Sequence, residues 1–271
     1  MNYLNIIPSE LNEIIISYSS SDELVTLLKT FNIFNLNWNI IHSYHFGEYP
    51  IRVSVIEYLK KLSVEVLIKK LNLNYTIDQL TNLQELDLSY NQLTQVPPEI
   101  NNLTNLRELY LSNNQLIQVP PEIDNLINLR ILNLSSNQLI QMPPEIGNLI
   151  NLRYLYLGNN KLTQVPKEIG NLTNLQGLSL FGNQLTQVPP EIGNLINLQN
   201  LYLSNNRLIQ VPSEIRNLIN LQNLYLSFNQ LTQVPPEIGN LTNLRELYLY
   251  GNQLKQIPPE IRKIPNIRIY E

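Results

Sequence analysis

The chain repeats itself every 23 residues over most of its length. Eight full copies begin at Leu80, Leu103, Leu126, Leu149, Leu172, Leu195, Leu218 and Leu241, and a truncated ninth begins at Ile264. A fixed period of this length is typical of repeat architectures, in which each unit buries its apolar face only against its neighbours. The 271 residues are therefore expected to form one elongated stack of coils with a small additional module.

Each copy contains the pattern of one short strand. In the second copy, Leu106, Leu109 and Leu111 have the alternating spacing of a strand with one buried side. Asn114 follows and recurs at the equivalent position of every full copy. Because an amide carries donors and acceptors on a short side chain, a stacked column of these asparagines is expected to satisfy backbone groups where each coil turns inward.

The Pro-Pro-Glu-Ile segment predicts a helical turn on the outer side of each coil. Proline lacks the N–H that a sheet needs but is tolerated in the first turn of a helix, where Glu122 also meets the positive end of the helix. Gly147, Gly170, Gly193 and Gly239 follow this turn, and we expect a left-handed backbone there.

The combined pattern, L-x-x-L-x-L-x-x-N-x-L followed by V-P-x-E-I, resembles the leucine-rich repeat. More narrowly, it is similar to the 23-residue intracellular type found in Ras-pathway scaffolds. The resemblance covers about residues 66–271 and implies an α/β solenoid, with a curved parallel sheet on the concave side and short helical turns on the convex side. A shortened first coil would cover about residues 66–79. The resemblance also implies that the concave sheet binds a protein partner.

The copies differ mainly at positions that flank the buried strand leucines, which are expected to face the concave side or its rim. Every tyrosine and phenylalanine between residues 80 and 252 lies in this set. The candidate partner-binding residues are Arg107, Tyr110, Arg130, Ile131, Asn133, Arg153, Tyr154, Tyr156, Phe181, Tyr202, Tyr225, Phe228, Tyr248 and Tyr250. The three arginines lie close to Ile131, Tyr154 and Tyr156, which predicts a binding hot spot in the second to fifth copies. The alternative is that the aromatic rings only stack on neighbouring coils and stabilise the sheet.

Residues 1–65 have a different, helical pattern. Leu11, Ile14 and Ile15 form one apolar face, and Leu24 and Leu27 belong to a second helix. These helices can serve as a cap on the first coil, which a solenoid needs.

The same segment also resembles the F-box, whose pattern opens Leu-Pro-x-Glu-Leu and continues through an Asp-Leu-x-x-Leu helix. The residues that carry this resemblance are Pro8, Glu10, Leu11, Ile14, Leu24 and Leu27. Ile7 replaces the leading leucine, and Trp38 lies later than the tryptophan of the family. The resemblance implies a substrate receptor of a cullin ubiquitin ligase, with residues 1–65 binding a Skp1-type adaptor.

Two other functions remain open on the sequence. The chain can be a scaffold or a small-GTPase regulator similar to the Ras-pathway proteins, with the N-terminal helices acting only as a cap. It can also be a structural repeat protein without a partner.

Composition argues against several other classes. The net charge is −4, whereas nucleic acids and anionic membranes favour a concentrated basic surface, so neither is expected as a partner. The chain has no cysteine and two histidines, His42 and His45, which are too few for a zinc site, and the repeats have no base and nucleophile pair. We therefore expect no cofactor, no metal and no enzymatic activity. The absence of cysteine and of a signal-like N-terminus favours an intracellular, cytoplasmic location.

Overall fold

A computed structural model describes residues 67–68 and 75–271. The chain divides into two compact units, Met1–Thr81 and Asn82–Glu271. In the first unit, the described helix α1 spans Ile77–Thr81. A capping box stabilises the start of this helix. The Gln79 N–H donates to Thr76 Oγ1 over 3.2 Å, and the Thr76 N–H donates to Gln79 Oε1 over 2.8 Å.

The second unit is built on a sheet of nine parallel strands that follow one another in chain order. The strands are β1 (Glu85–Asp87), β2 (Glu108–Tyr110), β3 (Ile131–Asn133), β4 (Tyr154–Tyr156), β5 (Gly177–Ser179), β6 (Asn200–Tyr202), β7 (Asn223–Tyr225), β8 (Glu246–Tyr248) and β9 (Arg268–Tyr270). Equivalent residues of consecutive copies are paired, as Leu109 is with Leu132. The 23-residue period of the sequence therefore sets the register in which neighbouring strands pair. The prediction of one strand per copy is confirmed.

The return path of each coil carries a short helix. Seven 3₁₀ helices span Pro98–Asn102, Pro121–Asn125, Pro144–Asn148, Lys167–Asn171, Pro190–Asn194, Ser213–Asn217 and Pro236–Asn240, and the α-helix α2 spans Pro259–Arg262. The proline before each of the seven 3₁₀ helices has extended backbone, and in five of them a second proline occupies the first turn. Proline suits this place because the first N–H groups of a helix have no partner within it.

The core is a set of leucine, isoleucine and valine columns enclosed by the strands and the helices. In the second copy, Leu106, Leu109, Leu111 and Ile123 have no solvent-exposed surface. Burying one such side chain contributes about 1.5–3 kcal/mol. Since every copy fills the same positions, each coil stabilises both of its neighbours.

The predicted asparagine column is confirmed. Asn114 donates from Nδ2 to the carbonyl oxygens of Leu88 and Leu111 over 2.8 and 3.0 Å. Its Oδ1 accepts the N–H groups of Asn91 and Leu93 over 3.0 and 2.9 Å. The side chain thus joins its own coil to the preceding one and satisfies backbone groups that the turn leaves unpaired.

The prediction for the outer glycines is wrong. Gly147 and Gly170 lie inside the 3₁₀ helices, and the positive-φ glycines of the described chain are Gly182 and Gly251 instead. A Cβ on Gly147 would lie 2.5 Å from the Glu168 carbonyl oxygen, and one on Gly170 would lie 2.6 Å from that of Glu191. In the copies that carry glycine here, the next coil leaves no room for a Cβ, and the backbone is not left-handed.

Candidate protein-binding face

The exposed side of the sheet is formed by the first and third residues of each strand, which we call the sheet face. In β2, β3 and β4 the central leucine is buried, and the residues on either side of it are half-buried. The structure therefore places Tyr110, Ile131, Asn133, Tyr154 and Tyr156 on one surface, as predicted. Tyr202, Tyr225 and Tyr248 continue the same surface over β6, β7 and β8.

The C-terminal part of the sheet face is a continuous stack of tyrosine rings. The ring centroids of Tyr202 and Tyr225 are 4.6 Å apart, those of Tyr225 and Tyr248 are 4.5 Å apart, and those of Tyr248 and Tyr270 are 4.2 Å apart. The interplanar angles lie between 8° and 17°. These four rings already cover one another, so stabilisation of the sheet accounts for their positions.

The N-terminal part of the sheet face is interrupted. Asn133 stands between Tyr110 and Tyr156 in the strand order, and Ser179 stands between Tyr156 and Tyr202. Neither Tyr110 nor Tyr156 therefore stacks on a ring in the next coil. Tyr110 and Tyr156 thus differ from the rings of the C-terminal stack in having no ring partner in the next coil, although the tyrosines of β2, β4 and β6 to β8 are all half-buried.

Tyr154 is held in place by its neighbours in the fifth copy. Its hydroxyl is 3.1 Å from Gln176 Oε1, to which it donates. Its ring lies over Gly177, where a Cβ would be 2.9 Å from Tyr154 Cδ1. The ring of Tyr156 is parallel to that of Tyr154 within 5°, at a centroid distance of 6.3 Å. A glycine in the neighbouring strand thus makes room for a fixed pair of aromatic rings.

The electrostatics of the sheet face keep its tyrosines protonated. The hydrogen bond from the Tyr110 hydroxyl to Glu108 Oε2, 2.7 Å long, is the main reason that the pKa of Tyr110 is raised to about 12. Burial raises the pKa of Tyr156 and is also the main cause for Tyr225 and Tyr248. At neutral pH the surface therefore presents uncharged rings and hydroxyls.

The two positions after the second buried leucine of each copy, Ser112 and Asn113 in the second copy, lie beyond the strand and outside the sheet face. Ser112 is buried and its hydroxyl donates to Ser89 Oγ over 3.0 Å. Asn113 has a left-handed backbone with φ of 54°. The equivalent positions of the other copies are also left-handed, at Tyr90, Ser136, Asn159, Gly182, Asn205, Phe228 and Gly251. Asparagine and glycine occur here because they tolerate this conformation.

Three of the candidate aromatic residues lie at this turn rather than on the strands. Phe181 is 38% exposed, Phe228 is 52% exposed and Tyr250 is 43% exposed. Phe228 and Tyr250 pack edge to face, with their ring centroids 5.0 Å apart. They form a separate patch beyond the carboxyl ends of the strands.

The candidate arginines lie at the opposite, amino-terminal ends of the strands. Arg107, Arg130 and Arg153 are exposed and line a groove of about 800 Å³. We call this the arginine groove; its other lining residues are Asn82, Gln84, Asn105, Asn128, Asn151, Asn174, Gln176 and Asn197. In the part of the chain that the structure describes, none of the three guanidinium groups forms an ion pair.

The asparagines of this groove were missed by the sequence analysis. Asn151 donates from Nδ2 to the Ile127 carbonyl oxygen over 2.8 Å, and Asn174 does so to that of Ile150 over 2.9 Å. Their sequence signal was an asparagine at the third position of every copy, which the general abundance of asparagine concealed. These hydrogen bonds fix the orientation of the asparagine side chains and leave their Oδ1 atoms as acceptors along the groove.

The F-box-like residues, Pro8 to Leu27, and His42 and His45 lie outside the described residues. Within residues 67–68 and 75–271 there is no group of three metal-ligating side chains. No helix in these same ranges has the length and apolarity that crossing a membrane requires.

Comparison with known proteins agrees with this geometry. A family model described as a leucine-rich repeat region matches residues 129–256, and another, described as two leucine-rich repeats, matches residues 81–126. None of the curated protein sequences matches the chain.

Several solved structures are similar. A leucine-rich-repeat protein of Leptospira interrogans is 39% identical, with a TM-score of 0.65, over 73% of this chain and 57% of that one. The ectodomain of the Arabidopsis thaliana membrane receptor kinase GASSHO1/SCHENGEN3, solved in complex with CASPARIAN STRIP INTEGRITY FACTOR 2, is 36% identical, with a TM-score of 0.63, over 70% of this chain and 24% of that one. Internalin C2 of Listeria monocytogenes is 25% identical, with a TM-score of 0.62, over 76% of this chain and 91% of that one.

The fold defines a repeat protein with a parallel sheet that is exposed on one side. The chain is a leucine-rich-repeat protein. Proteins of this class generally mediate protein–protein interactions. The chain spans 57% and 24% of the lengths of the Leptospira and Arabidopsis proteins, so their whole activities do not transfer to it.

Proposed function

We propose that this chain binds a protein partner through the sheet face and acts by non-covalent recognition rather than catalysis. The binding centre lies in the second to fifth copies, around Tyr110, Ile131, Tyr154 and Tyr156. The notion of a partner is supported by similar structures, among them a plant peptide hormone receptor, RGFR1, in complex with RGF2. We place the protein inside the cell, in keeping with the absence of cysteine.

One observation carries the proposal: some tyrosines of the sheet face stack on a ring in the next coil, and others do not. Tyr202, Tyr225, Tyr248 and Tyr270 stack continuously, whereas Tyr110 and Tyr156 are each followed by a small polar residue in the next coil. If stacking between coils alone selected these rings, Tyr110 and Tyr156 would gain nothing from it, because neither has a ring partner in the next coil. Rigid aromatic side chains are what protein-binding surfaces use, because they bury large area at a small loss of conformational entropy.

The test uses substitutions that other copies already carry. Tyr110→Asn and Tyr156→Ser introduce the residues found at the same position as Asn133 and Ser179, and Tyr154→Asn introduces the residue found at Asn200. These changes are therefore compatible with the coil. A partner captured by the full chain and identified by mass spectrometry is purified, and its affinity for the wild type and for the triple variant is measured by calorimetry.

We expect the triple variant to lose about a hundredfold or more in affinity, since hot-spot residues contribute about 2 kcal/mol or more each. The matched control is Ile209→Thr, which changes a side chain that is 57% exposed outside the sheet face to the residue found at Thr186. Unchanged affinity in the triple variant, with its fold intact by circular dichroism, contradicts the proposal.

A narrower role follows from the F-box resemblance alone. We propose that residues 1–65 bind a Skp1-type adaptor, so that the chain would present its partner to a ubiquitin ligase. The alternative is a scaffold or small-GTPase regulator in which this segment is only a cap. Pro8→Ala with Leu11→Ala would abolish capture of purified Skp1 but not of the sheet-face partner in the first case, while equal capture by wild type and variant favours the second.

A further inference from the structure

The arginine groove carries three guanidinium groups, and the sheet-face proposal does not use all of them. Arg107, Arg130 and Arg153 occupy the same position of consecutive copies, with consecutive coils about 4.8 Å apart by strand spacing. The next three copies carry Gln176, Gln199 and Gln222 there instead. Positive charge is thus confined to one stretch of a groove whose shape continues beyond it.

The guanidinium groups of the three arginines do not stabilise the described chain through ion pairs. Arg268 at the same end of the sheet forms an ion pair with Glu246, whereas Arg107, Arg130 and Arg153 form none in the ranges 67–68 and 75–271. Arginine carries five N–H donors in a planar fork that suits carboxylates. Three such forks, unpaired and in a row, favour a ligand with several negative oxygens.

The walls of the groove identify the type of chain that carries these oxygens. Asn128, Asn151, Asn174 and Asn197 use Nδ2 to hold the preceding coil, over distances of 2.8–2.9 Å. Their carbonyl oxygens remain as acceptors along the groove. A peptide backbone offers an N–H donor at nearly every residue to such acceptors, whereas the sugar–phosphate backbone of DNA has no donor. The net charge of −4 also opposes a polyanion as long as a nucleic acid.

We propose that the arginine groove binds an extended, acidic segment of the partner, with two or three carboxylates held by Arg107, Arg130 and Arg153. The three arginines span about 10 Å, the length of about three extended residues. This inference rests on the proposed function, because it defines the chemistry of the protein that the sheet face recognises.

The test uses the full chain and a fluorescein-labelled peptide of glycine and glutamate, with glutamine replacing glutamate in the matched peptide. The triple variant Arg107→Gln, Arg130→Gln, Arg153→Gln carries the residue of the next three copies and therefore keeps the fold. Arg245→Gln is the matched control, since Arg245 has the same position in the eighth copy and does not line the groove. Affinity is measured by fluorescence anisotropy at low salt.

The glutamate peptide is expected to bind, and the triple variant to bind it about tenfold or more weakly, since each carboxylate–arginine contact contributes modestly at an exposed site. Arg245→Gln is expected to change affinity less than about twofold, and added salt to weaken binding. Equal binding of the two peptides, equal binding by the triple variant, or preference for an oligothymidylate of matched charge overturns the inference.

The partner assay separates the two proposals. If the tyrosine variants lose the partner while the arginine variant keeps it, the sheet face is the binding site and only the acidic-segment inference fails. If the tyrosine variants keep the partner, the proposed function fails, whatever the peptide does.

Discussion

Tyr90 and Asn113 occupy equivalent positions of consecutive copies and share a left-handed backbone, with φ of 59° and 54°. Asparagine tolerates this conformation, whereas a bulky side chain is strained in it by about 1 kcal/mol. The Tyr90 side chain is 77% exposed and therefore gains little from burial. The same turn is thus strained in the coil that carries Tyr90 and relaxed in the next coil, which carries Asn113.

Replacing Tyr90 by asparagine should therefore stabilise the chain. We expect Tyr90→Asn to raise the free energy of unfolding by about 0.5–1 kcal/mol, and the reciprocal Asn113→Tyr to lower it by a similar amount. Urea unfolding followed by circular dichroism measures both. A stabilising Asn113→Tyr would show that the left-handed turn does not discriminate between these residues.

The close approach of the outer helices makes a second prediction. A Cβ at Gly170 would lie 2.6 Å from the Glu191 carbonyl oxygen, so the coils must shift to accept alanine. Gly170→Ala should therefore lower the free energy of unfolding by about 1–3 kcal/mol, although alanine favours helices. Arg216→Ala, at the same position of another copy, is the control and should change stability by less than about 0.5 kcal/mol. If the two variants unfold alike, the glycines are not required for coil spacing.

The buried asparagine column should be far more sensitive than the exposed one. Asn160 donates to the carbonyl oxygens of Leu134 and Leu157 and accepts the Leu139 N–H, all within 3.0–3.1 Å. Asn160→Ala leaves these buried groups unpaired and should destabilise the chain by about 2–4 kcal/mol. Asn174→Ala removes one exposed hydrogen bond and should lower stability by less than about 1 kcal/mol. Thermal unfolding of both variants measures the two losses of stability, and the loss for Asn160→Ala should be clearly the larger.

The hydrogen bond between Tyr110 and Glu108 predicts a specific titration. Because the pKa of Tyr110 is raised to about 12 in the folded chain, its contribution to stability is complete below pH 10 and is lost as the pH rises towards about 12. Glu108→Gln removes the carboxylate and should lower the pKa of Tyr110. NMR of ¹³Cζ-labelled tyrosine follows this hydroxyl directly. An unchanged titration in Glu108→Gln would mean that another group holds the proton.

The sequence predicted most of the fold because the period imposes it. Once Leu109 and Leu132 are equivalent, their pairing in parallel strands follows, and so does the column that contains Asn114. The left-handed turn was not predicted, because Tyr90 and Phe228 occupy it together with asparagine and glycine. No local residue preference reveals a conformation that the neighbouring coils impose.

The candidate site was predicted in part. Alternation along the strand correctly predicted that Tyr154 and Tyr156 share one surface. The sequence did not reveal which tyrosines stack on a ring in the next coil. Whether a ring stacks on a ring in the next coil depends on residues such as Ser179 and Asn133 in adjacent coils, and this becomes visible only when the coils are aligned. The lack of room for a Cβ at Gly147, next to Glu168, likewise depends on the distance between coils, which cannot be read from one copy alone.

The central claim is that the sheet face, and not the outer side of the coils, contacts the partner. Site-specific photo-crosslinking tests it most directly, with p-benzoylphenylalanine placed at Tyr156 on the sheet face or at Lys167 in an outer 3₁₀ helix. The account predicts a covalent adduct with the partner from position 156 and none from position 167. An adduct from position 167 alone would contradict it.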